Sequence, residues 1–259
     1  SGLPGAQFAD FIVGALPADN GAFTVTFQIY QEDRDIVRAL RDPEHFQAMC
    51  TAVGAIAPWV DPQTAEPTSD VYGFGQMDSF WRHTVLGNTP QVLNYYCVGD
   101  SGIRSNPKFG RGCTWTAVAA HRLAQLLADS MTPSARIRRY EQCLREEFRT
   151  DWETMLDIDR RTRAGFEIAA GRRSATARGR VGQWFESLVN RAMATEPDLF
   201  REIWRGYHGF TNMSAWLHSP RVWPRLLRAA LLPNRDLQLQ DAIARRPNRD
   251  QLANANLSH

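Results

Sequence analysis

Two β-rich runs near the start of the chain show the two-residue period of strands. Residues 8–16 and 22–30 are separated by Pro17-Ala18-Asp19-Asn20-Gly21, a turn signal that ends in Asn-Gly. In the second run the apolar positions alternate with threonine and glutamine, and they are Phe23, Val25, Phe27 and Ile29. The alternation predicts a half-buried antiparallel strand with one polar face.

The following segments change period. Residues 33–40 and 43–54 predict two short helices, and the second carries a clear apolar stripe at three- and four-residue steps. A proline-punctuated connection over residues 58–67 leads to two further predicted β regions, at 69–75 and 80–86.

A short apolar run over residues 92–98 ends in Gly99-Asp100. It predicts a buried strand whose carboxylate emerges at the C-terminal edge, where open α/β sheets bind ligands. Pro107 and Gly110-x-Gly112 follow, directly before a predicted helix over 113–129. Such glycines let backbone N–H groups approach an anionic ligand at the positive end of a helix. We therefore predict a ligand with hydroxyls that bind the aspartate and a phosphate that faces the helix start.

After Pro133 the pattern becomes helical. Apolar residues recur at three- and four-residue steps between charged ones, namely Ile137, Tyr140, Leu144, Phe148, Trp152 and Met155. They predict one long amphipathic helix to about Ala169. The basic connector over residues 171–180 suits a solvated loop or a contact to phosphate or RNA. Three shorter helices are predicted near residues 181–194, 197–208 and 220–232.

Two of these shorter helices have apolar faces that we expect to be buried, formed by Trp184, Phe185, Leu188 and Val189 and by Leu199, Phe200, Ile203 and Trp204. The aromatic segment 199–223 has two interpretations, a satellite helical core or an interface for another chain. Its aromatic residues are Phe200, Trp204, Tyr207, Phe210, Trp216 and Trp223. The polar tail from Asn234 is predicted to fray or to pack on a partner.

The segment from Gly99-Asp100 through Pro107 to Gly110-x-Gly112 resembles the second FAD-binding motif of the flavoprotein monooxygenases. The sequences Asn-Pro and Gly-Arg-Gly-Cys within it are most similar to an epoxidase-like branch of the FAD-dependent oxidoreductases. Upstream stretches fit the same branch, so the resemblance spans roughly residues 8–165. It implies an α/β parent fold, present in this chain as α+β.

The resemblance also implies cofactor-binding residues, which are Gly99, Asp100, Pro107, Gly110, Arg111 and Gly112. Asp100 would bind the ribityl chain of FAD, and Pro107 would lie beside the isoalloxazine. The N–H groups of Gly110 and Gly112 would approach the flavin pyrimidine oxygen. Arg104 and Asn106 have two open interpretations, bracing of the loop or contact with flavin or substrate. The single lysine, Lys108, is either an exposed loop residue or a contact to flavin or substrate.

The function implied is that of the C-terminal portion of an FAD-dependent monooxygenase, a hydroxylase or an epoxidase. NAD(P)H would reduce the FAD, and one atom of O₂ would enter a small apolar organic substrate. No catalytic residue is identified. Apolar side chains of the β region are expected to line the substrate site, and the candidates are Phe11, Phe27, Tyr72, Phe74 and Trp81. The alternatives are a flavin-dependent reductase, a halogenase of the same fold, or a non-catalytic helical interaction module.

The first FAD motif, a strand followed by G-x-G-x-x-G, is absent from the sequence. Gly110-x-Gly112 matches its first two glycines, but Trp115 stands where a small residue is required. We therefore expect the chain to be a fragment of a longer flavoprotein, with the N-terminal FAD-binding half as its partner. The expected organisation is a mixed β-sheet substrate domain with two short helices over residues 1–91, the last strand–helix unit of the FAD domain over 92–130, and a C-terminal helical region over 131–259.

Composition narrows the function classes. The hydrophobic fraction of 43% is that of a globular protein, and the net charge of +2 does not favour nucleic acid. No apolar run is long enough to predict a membrane span. Cys50, Cys97 and Cys143 fit small core positions in a cytoplasmic protein, while Cys113 is either a packing residue or a reactive thiol at a helix start. No metal-ligand spacing occurs among the histidines and cysteines, and the sequence is compatible with a homo-oligomer.

Overall fold

The structure, a computed structural model, describes residues 5–8, 11–75, 77–207, 209–212, 214–231, 247 and 249–254. It is a mixed α+β structure, 56% helical with small antiparallel sheets. The chain divides into two compact units. Unit 1 comprises Ser1–Gly75, Thr162–Ser187 and Leu231–His259, and unit 2 comprises Gln76–Arg161 and Leu188–Ala230.

Unit 1 contains a three-stranded antiparallel sheet. Its strands are β1 (Gly5–Gln7), β2 (Phe11–Pro17) and β3 (Phe23–Ile29), in that order across the sheet. Strand β2 buries alternate side chains, as a sheet with one face on a core requires. The Asn-Gly turn between β2 and β3 has both residues at positive φ, 57° for Asn20 and 75° for Gly21. The predicted hairpin and its half-buried second strand are confirmed, although Thr24 is the one exposed residue of the expected polar face in β3.

Two short helices pack with this sheet, α1 (Arg34–Ala39) and α2 (Pro43–Ala52), close to the predicted bounds. Helix α2 begins where Asp42 accepts a hydrogen bond from the His45 amide at 2.8 Å and Pro43 presets the first turn. The buried core consists of Phe11, Val13, Ala15, Ile36, Leu40, Met49, Cys50, Val53, Ile56 and Leu252.

Unit 2 is mostly helical. Its strands form two short antiparallel pairs, β4 (Phe80–Trp81) with β7 (Ile103–Arg104) and β5 (Val85–Leu86) with β6 (Thr89–Pro90). The helices are α3 (Gly112–Ala128), α4 (Pro133–Ala169), α5 (Ala177–Thr195), α6 (Pro197–Tyr207) and α7 (Val222–Leu231). Helices α4 and α5, and α7 through its last residue Leu231, contribute residues to both units. The predicted long helix to Ala169 is confirmed.

Helices α3 and α4 form the core of unit 2. Trp115 of α3 stacks on Phe148 of α4, with ring centroids 5.1 Å apart and planes 27° apart. The buried cluster consists of Ile103, Phe109, Trp115, Ala119, Leu126, Tyr140, Leu144, Phe148 and Met155. Within the described residues, no helix is both long and apolar enough to cross a lipid bilayer.

The predicted buried strand over residues 92–98 is wrong. Val92 and Leu93 are 55% and 54% exposed, and no strand is present in that segment. The Tyr140 hydroxyl donates to the Cys97 carbonyl at 2.8 Å, so this main-chain group finds its partner on a helix and not on a neighbouring strand. A short apolar run in the sequence does not by itself distinguish a buried strand from an irregular segment that packs on a helix.

Other sequence expectations also differ from the structure. Residues 69–75 contain no strand, and the region 80–86 contains only β4 and β5. Trp184 is 59% exposed and Phe200 is 42% exposed, although both were expected to be buried. Four aromatic residues of segment 199–223 are exposed, namely Phe200, Tyr207, Phe210 and Trp223.

The polar tail from Asn234 lies largely outside the described residues. Its described part includes a short helix, α8 (Arg249–Ala253), whose Leu252 is fully buried in the core of unit 1. The Leu252 carbonyl lies 3.0 Å from Nε2 of the buried His45. This part of the tail therefore packs on its own chain.

Candidate functional site

The Gly99-Asp100 segment forms a 3-10 turn over Gly99–Ser101. Ser101 Oγ closes this turn, because it accepts from the Val98 amide at 3.1 Å and donates to the Val98 carbonyl at 2.8 Å. Gly99 has φ of 65°, and a Cβ added there would lie 2.5 Å from Thr116 Oγ1. The turn thus lies directly on the first turns of α3, at a distance that only glycine permits.

Asp100 lies beside the start of α3. Its side chain is exposed, and a Cβ added to Gly112 would be 3.7 Å from Asp100 Oδ1. The first helical hydrogen bond of α3 runs from the Trp115 amide to the Arg111 carbonyl at 2.9 Å, and the N-cap residue Arg111 provides no side-chain cap. The amides before Trp115 therefore have no helical acceptor, and the helix start attracts an anion.

The segment between the two motifs is a second 3-10 turn, Pro107–Phe109, capped by Asn106 through a hydrogen bond from the Lys108 amide at 3.1 Å. Gly110 follows with φ of 63°, and its amide donates to the Pro107 carbonyl at 2.9 Å. The Gly110 amide is thus engaged within its own turn. The backbone amides of Gly110 and Gly112 were both expected to face the flavin. The Gly112 amide lies in the first turn of α3, where no helical carbonyl accepts from it.

Asn106 and Lys108 both reach one carboxylate on α4. The side-chain Nδ2 of Asn106 donates to Asp159 Oδ1 at 3.2 Å, and Lys108 Nζ lies 2.8 Å from the same oxygen. Arg104 donates from Nε to the Asp78 carbonyl at 2.9 Å. These contacts favour the bracing interpretation of Arg104 and Asn106, because Asn106 links the loop to α4 and Arg104 links β7 to the segment before β4. Lys108 forms an ion pair with Asp159.

Arg111 turns its guanidinium into the protein. The residue is 3% exposed, donates to the Gly206 carbonyl, and lies 3.6 Å from Asp151 Oδ2. Burial lowers the pKa of Arg111, although the charge of Asp151 opposes the shift. Only the main chain of Arg111 is therefore placed to meet a ligand.

The proposed substrate-lining residues are divided between unit 1 and unit 2. Phe11 and Phe27 pack in unit 1, where Phe27 meets Phe46 edge-on at 5.3 Å. Tyr72 and Phe74 are 75% and 74% exposed, while Trp81 packs against the core of unit 2. Their assignment to a substrate site stays a prediction.

One pair that sequence reasoning missed joins His83 to Glu141. His83 Nδ1 lies 2.8 Å from Oε1 of Glu141, whose side chain is only 3% exposed. The two residues are 58 positions apart, so no local spacing could reveal them. The available signal was a glutamate at an otherwise apolar step of the helix stripe, one residue after Tyr140.

No family description, curated protein or solved structure matches this chain. Among the described residues, no group of three or more His, Cys, Asp or Glu side chains is arranged to hold a metal ion.

Proposed function

We propose that this chain forms the second FAD-binding motif of an FAD-dependent monooxygenase and binds the ribityl and phosphate part of the cofactor. One observation carries the proposal: the exposed carboxylate of Asp100 lies beside Gly112 at the uncapped start of the 17-residue helix α3. A carboxylate accepts hydrogen bonds from hydroxyls, and an uncapped helix start favours a phosphate. Both groups occur next to each other in FAD.

The residues present fit that part of the cofactor. Gly110 has open space where a Cβ would lie, and the Gly112 amide belongs to a first turn that no N-cap side chain satisfies. The Asn106, Lys108 and Asp159 contacts hold the intervening loop. When bound, FAD supplies the redox chemistry by which one atom of O₂ reaches an apolar substrate, with NAD(P)H as the reductant.

This chain's own part in that activity is binding and orientation. Asp100 holds a hydroxyl of the ribityl chain, and the amides at the start of α3 stabilise negative charge on the ligand by preorganised dipoles. The left-handed conformation of Gly99 sets the approach of Asp100 to α3, because it brings the turn within contact of Thr116.

FAD binding tests the proposal. The fluorescence of FAD is titrated with the purified chain, with Asp100→Asn and with Asp129→Asn, the matched control that changes an exposed aspartate at the opposite end of α3. Loss of a charged acceptor should weaken binding by about tenfold or more, while the control stays within about twofold. Circular dichroism establishes that each variant is folded. Fluorescence that the wild-type chain leaves unchanged, or equal affinity for both variants, overturns the proposal.

A further inference from the structure

The contact between His83 and Glu141 has the geometry of an oriented imidazole. A carboxylate can only accept, so the neutral His83 ring carries its proton on Nδ1 and keeps a lone pair on Nε2. The ring stacks on Trp81, with centroids 5.8 Å apart and planes 18° apart, which fixes its orientation. The His83 side chain is nevertheless 47% exposed. The Nδ1 side of the imidazole is therefore held by Glu141, while the ring remains partly accessible to solvent.

Glu141 is held by several donors at once. Besides His83, its carboxylate accepts from the Thr84 hydroxyl at 3.1 Å, from the Thr84 amide at 3.4 Å and from Arg145 Nη2 at 3.4 Å. A buried carboxylate with this many donors is fixed in place, because its oxygens find hydrogen-bond partners inside the protein. It is thus suited to stabilise an imidazolium at His83.

Several buried donors near this pair have no hydrogen-bond partner among the described residues. Within the described part of the chain, Trp81 Nε1, Trp152 Nε1 and Arg145 Nε are buried without a hydrogen-bond partner. Arg145 lies on α4 four residues after Glu141, and its side chain is 41% exposed. Glu141 Oε1 contacts both the imidazole of His83 and the guanidinium of Arg145. With His83 protonated, these three groups carry a net charge of +1, which favours an anionic oxygen ligand.

We propose that His83 and Arg145, organised by Glu141, bind a small organic carboxylate, and that His83 takes up a proton from water as the carboxylate binds. The Nε2 lone pair takes the proton from a hydronium ion, whose O–H bond breaks as the N–H bond forms, and the new N–H donates to a carboxylate oxygen. The Nδ1 proton stays between His83 and Glu141, whose negative charge stabilises the imidazolium. Release of the carboxylate returns the Nε2 proton to water. The site uses none of the residues assigned to FAD.

Nitrogen-15 NMR of the histidine rings, recorded on the FAD-free chain at about pH 7.5, tests this inference with acetate as the probe. His83→Asn removes the signals of that ring and so identifies them. The wild-type ring should show the Nδ1–H tautomer, and acetate should shift its signals to saturation. Arg145→Met should keep the tautomer and bind acetate about tenfold more weakly or worse, because a charge-assisted hydrogen bond is lost. His121, which is exposed on α3, is the internal control.

Three outcomes overturn the inference: an Nε2–H tautomer, an acetate response that does not saturate or that His121 shares, or unchanged acetate affinity in Arg145→Met. The last outcome would leave the contact of His83 with Glu141 as a purely structural one. Glu141→Gln should lose the tautomer preference. If that variant fails to fold, because Thr84 and Arg145 also depend on Glu141, the Arg145 variant still decides the question.

Discussion

Gly99 and Gly110 have the same backbone conformation and different surroundings, which makes them a matched pair. Their φ angles are 65° and 63°. A Cβ at Gly99 would lie 2.5 Å from Thr116 Oγ1 and 3.3 Å from Thr116 Cγ2, whereas a Cβ at Gly110 would meet nothing within 4 Å. Replacement by alanine therefore separates the cost of the left-handed backbone from the cost of the overlap.

The expected magnitudes follow from these distances. Gly110→Ala should lower the free energy of unfolding by about 1 kcal/mol, the cost of alanine in the left-handed region. Gly99→Ala bears the same cost and adds the overlap, about 1–3 kcal/mol for overpacking, so we expect a loss of about 2–4 kcal/mol. Removal of the obstacle by Thr116→Ala should restore most of the second contribution.

Urea unfolding followed by circular dichroism measures the four free energies of the cycle formed by Gly99→Ala and Thr116→Ala, with Gly110→Ala as the reference. Thr116→Ala alone is included because its hydroxyl donates to the Gly112 carbonyl at 2.7 Å. Equal destabilisation by the two glycine substitutions, or a coupling energy near zero between positions 99 and 116, would refute the close approach of the Gly99 turn to α3.

Two further predictions concern buried groups. Asp33→Asn should cost about 3–5 kcal/mol at pH 7, because Arg172 and Arg249 share this carboxylate. Burial raises the pKa of Asp33, but hydrogen bonds from Arg249 and Arg172 lower it overall, so the contribution of Asp33 is lost as the pH falls through its folded-state pKa. The difference in the free energy of unfolding between wild type and Asp33→Asn, measured with urea, should shrink below about pH 4. A difference that stays constant from pH 7 to pH 3 contradicts this prediction. A dithionitrobenzoate assay of the native chain should label only Cys113. The other three cysteines, Cys50, Cys97 and Cys143, are buried, and burial raises the pKa of Cys50 to about 12. Rapid labelling of the Cys113→Ser variant would contradict this prediction.

The basic connector illustrates how tertiary contacts change the meaning of a charge run. Residues 171–176 are exposed in the link between α4 and α5, as a solvated loop requires, but helix α5 begins at Ala177, so the last four residues of the predicted connector are helical. Within it, Arg172 donates to the buried Asp33 at 2.6 Å, and its guanidinium lies 5.1 Å from the Tyr30 ring centroid. One arginine of the run is thus a structural anchor of unit 1.

Local periodicity by itself determined the hairpin, helix α3 and the full length of α4, because alternation and three- to four-residue spacing are properties of neighbouring positions. The glycines at 99, 110 and 112 also marked the turns that meet at α3. Their left-handed conformation at 99 and 110 is a local demand that the sequence expresses directly.

Tertiary structure alone decided the rest. Residues 92–98 have the apolar content of a strand, but the Cys97 carbonyl finds Tyr140 of α4 as its partner. Likewise, Glu141 contacts His83, which is 58 residues away in the sequence, and the Arg111 guanidinium donates to the Gly206 carbonyl and not to a ligand at the start of α3. Which groups pair over such distances depends on how the helices pack, and a single sequence records the residue types without recording that packing.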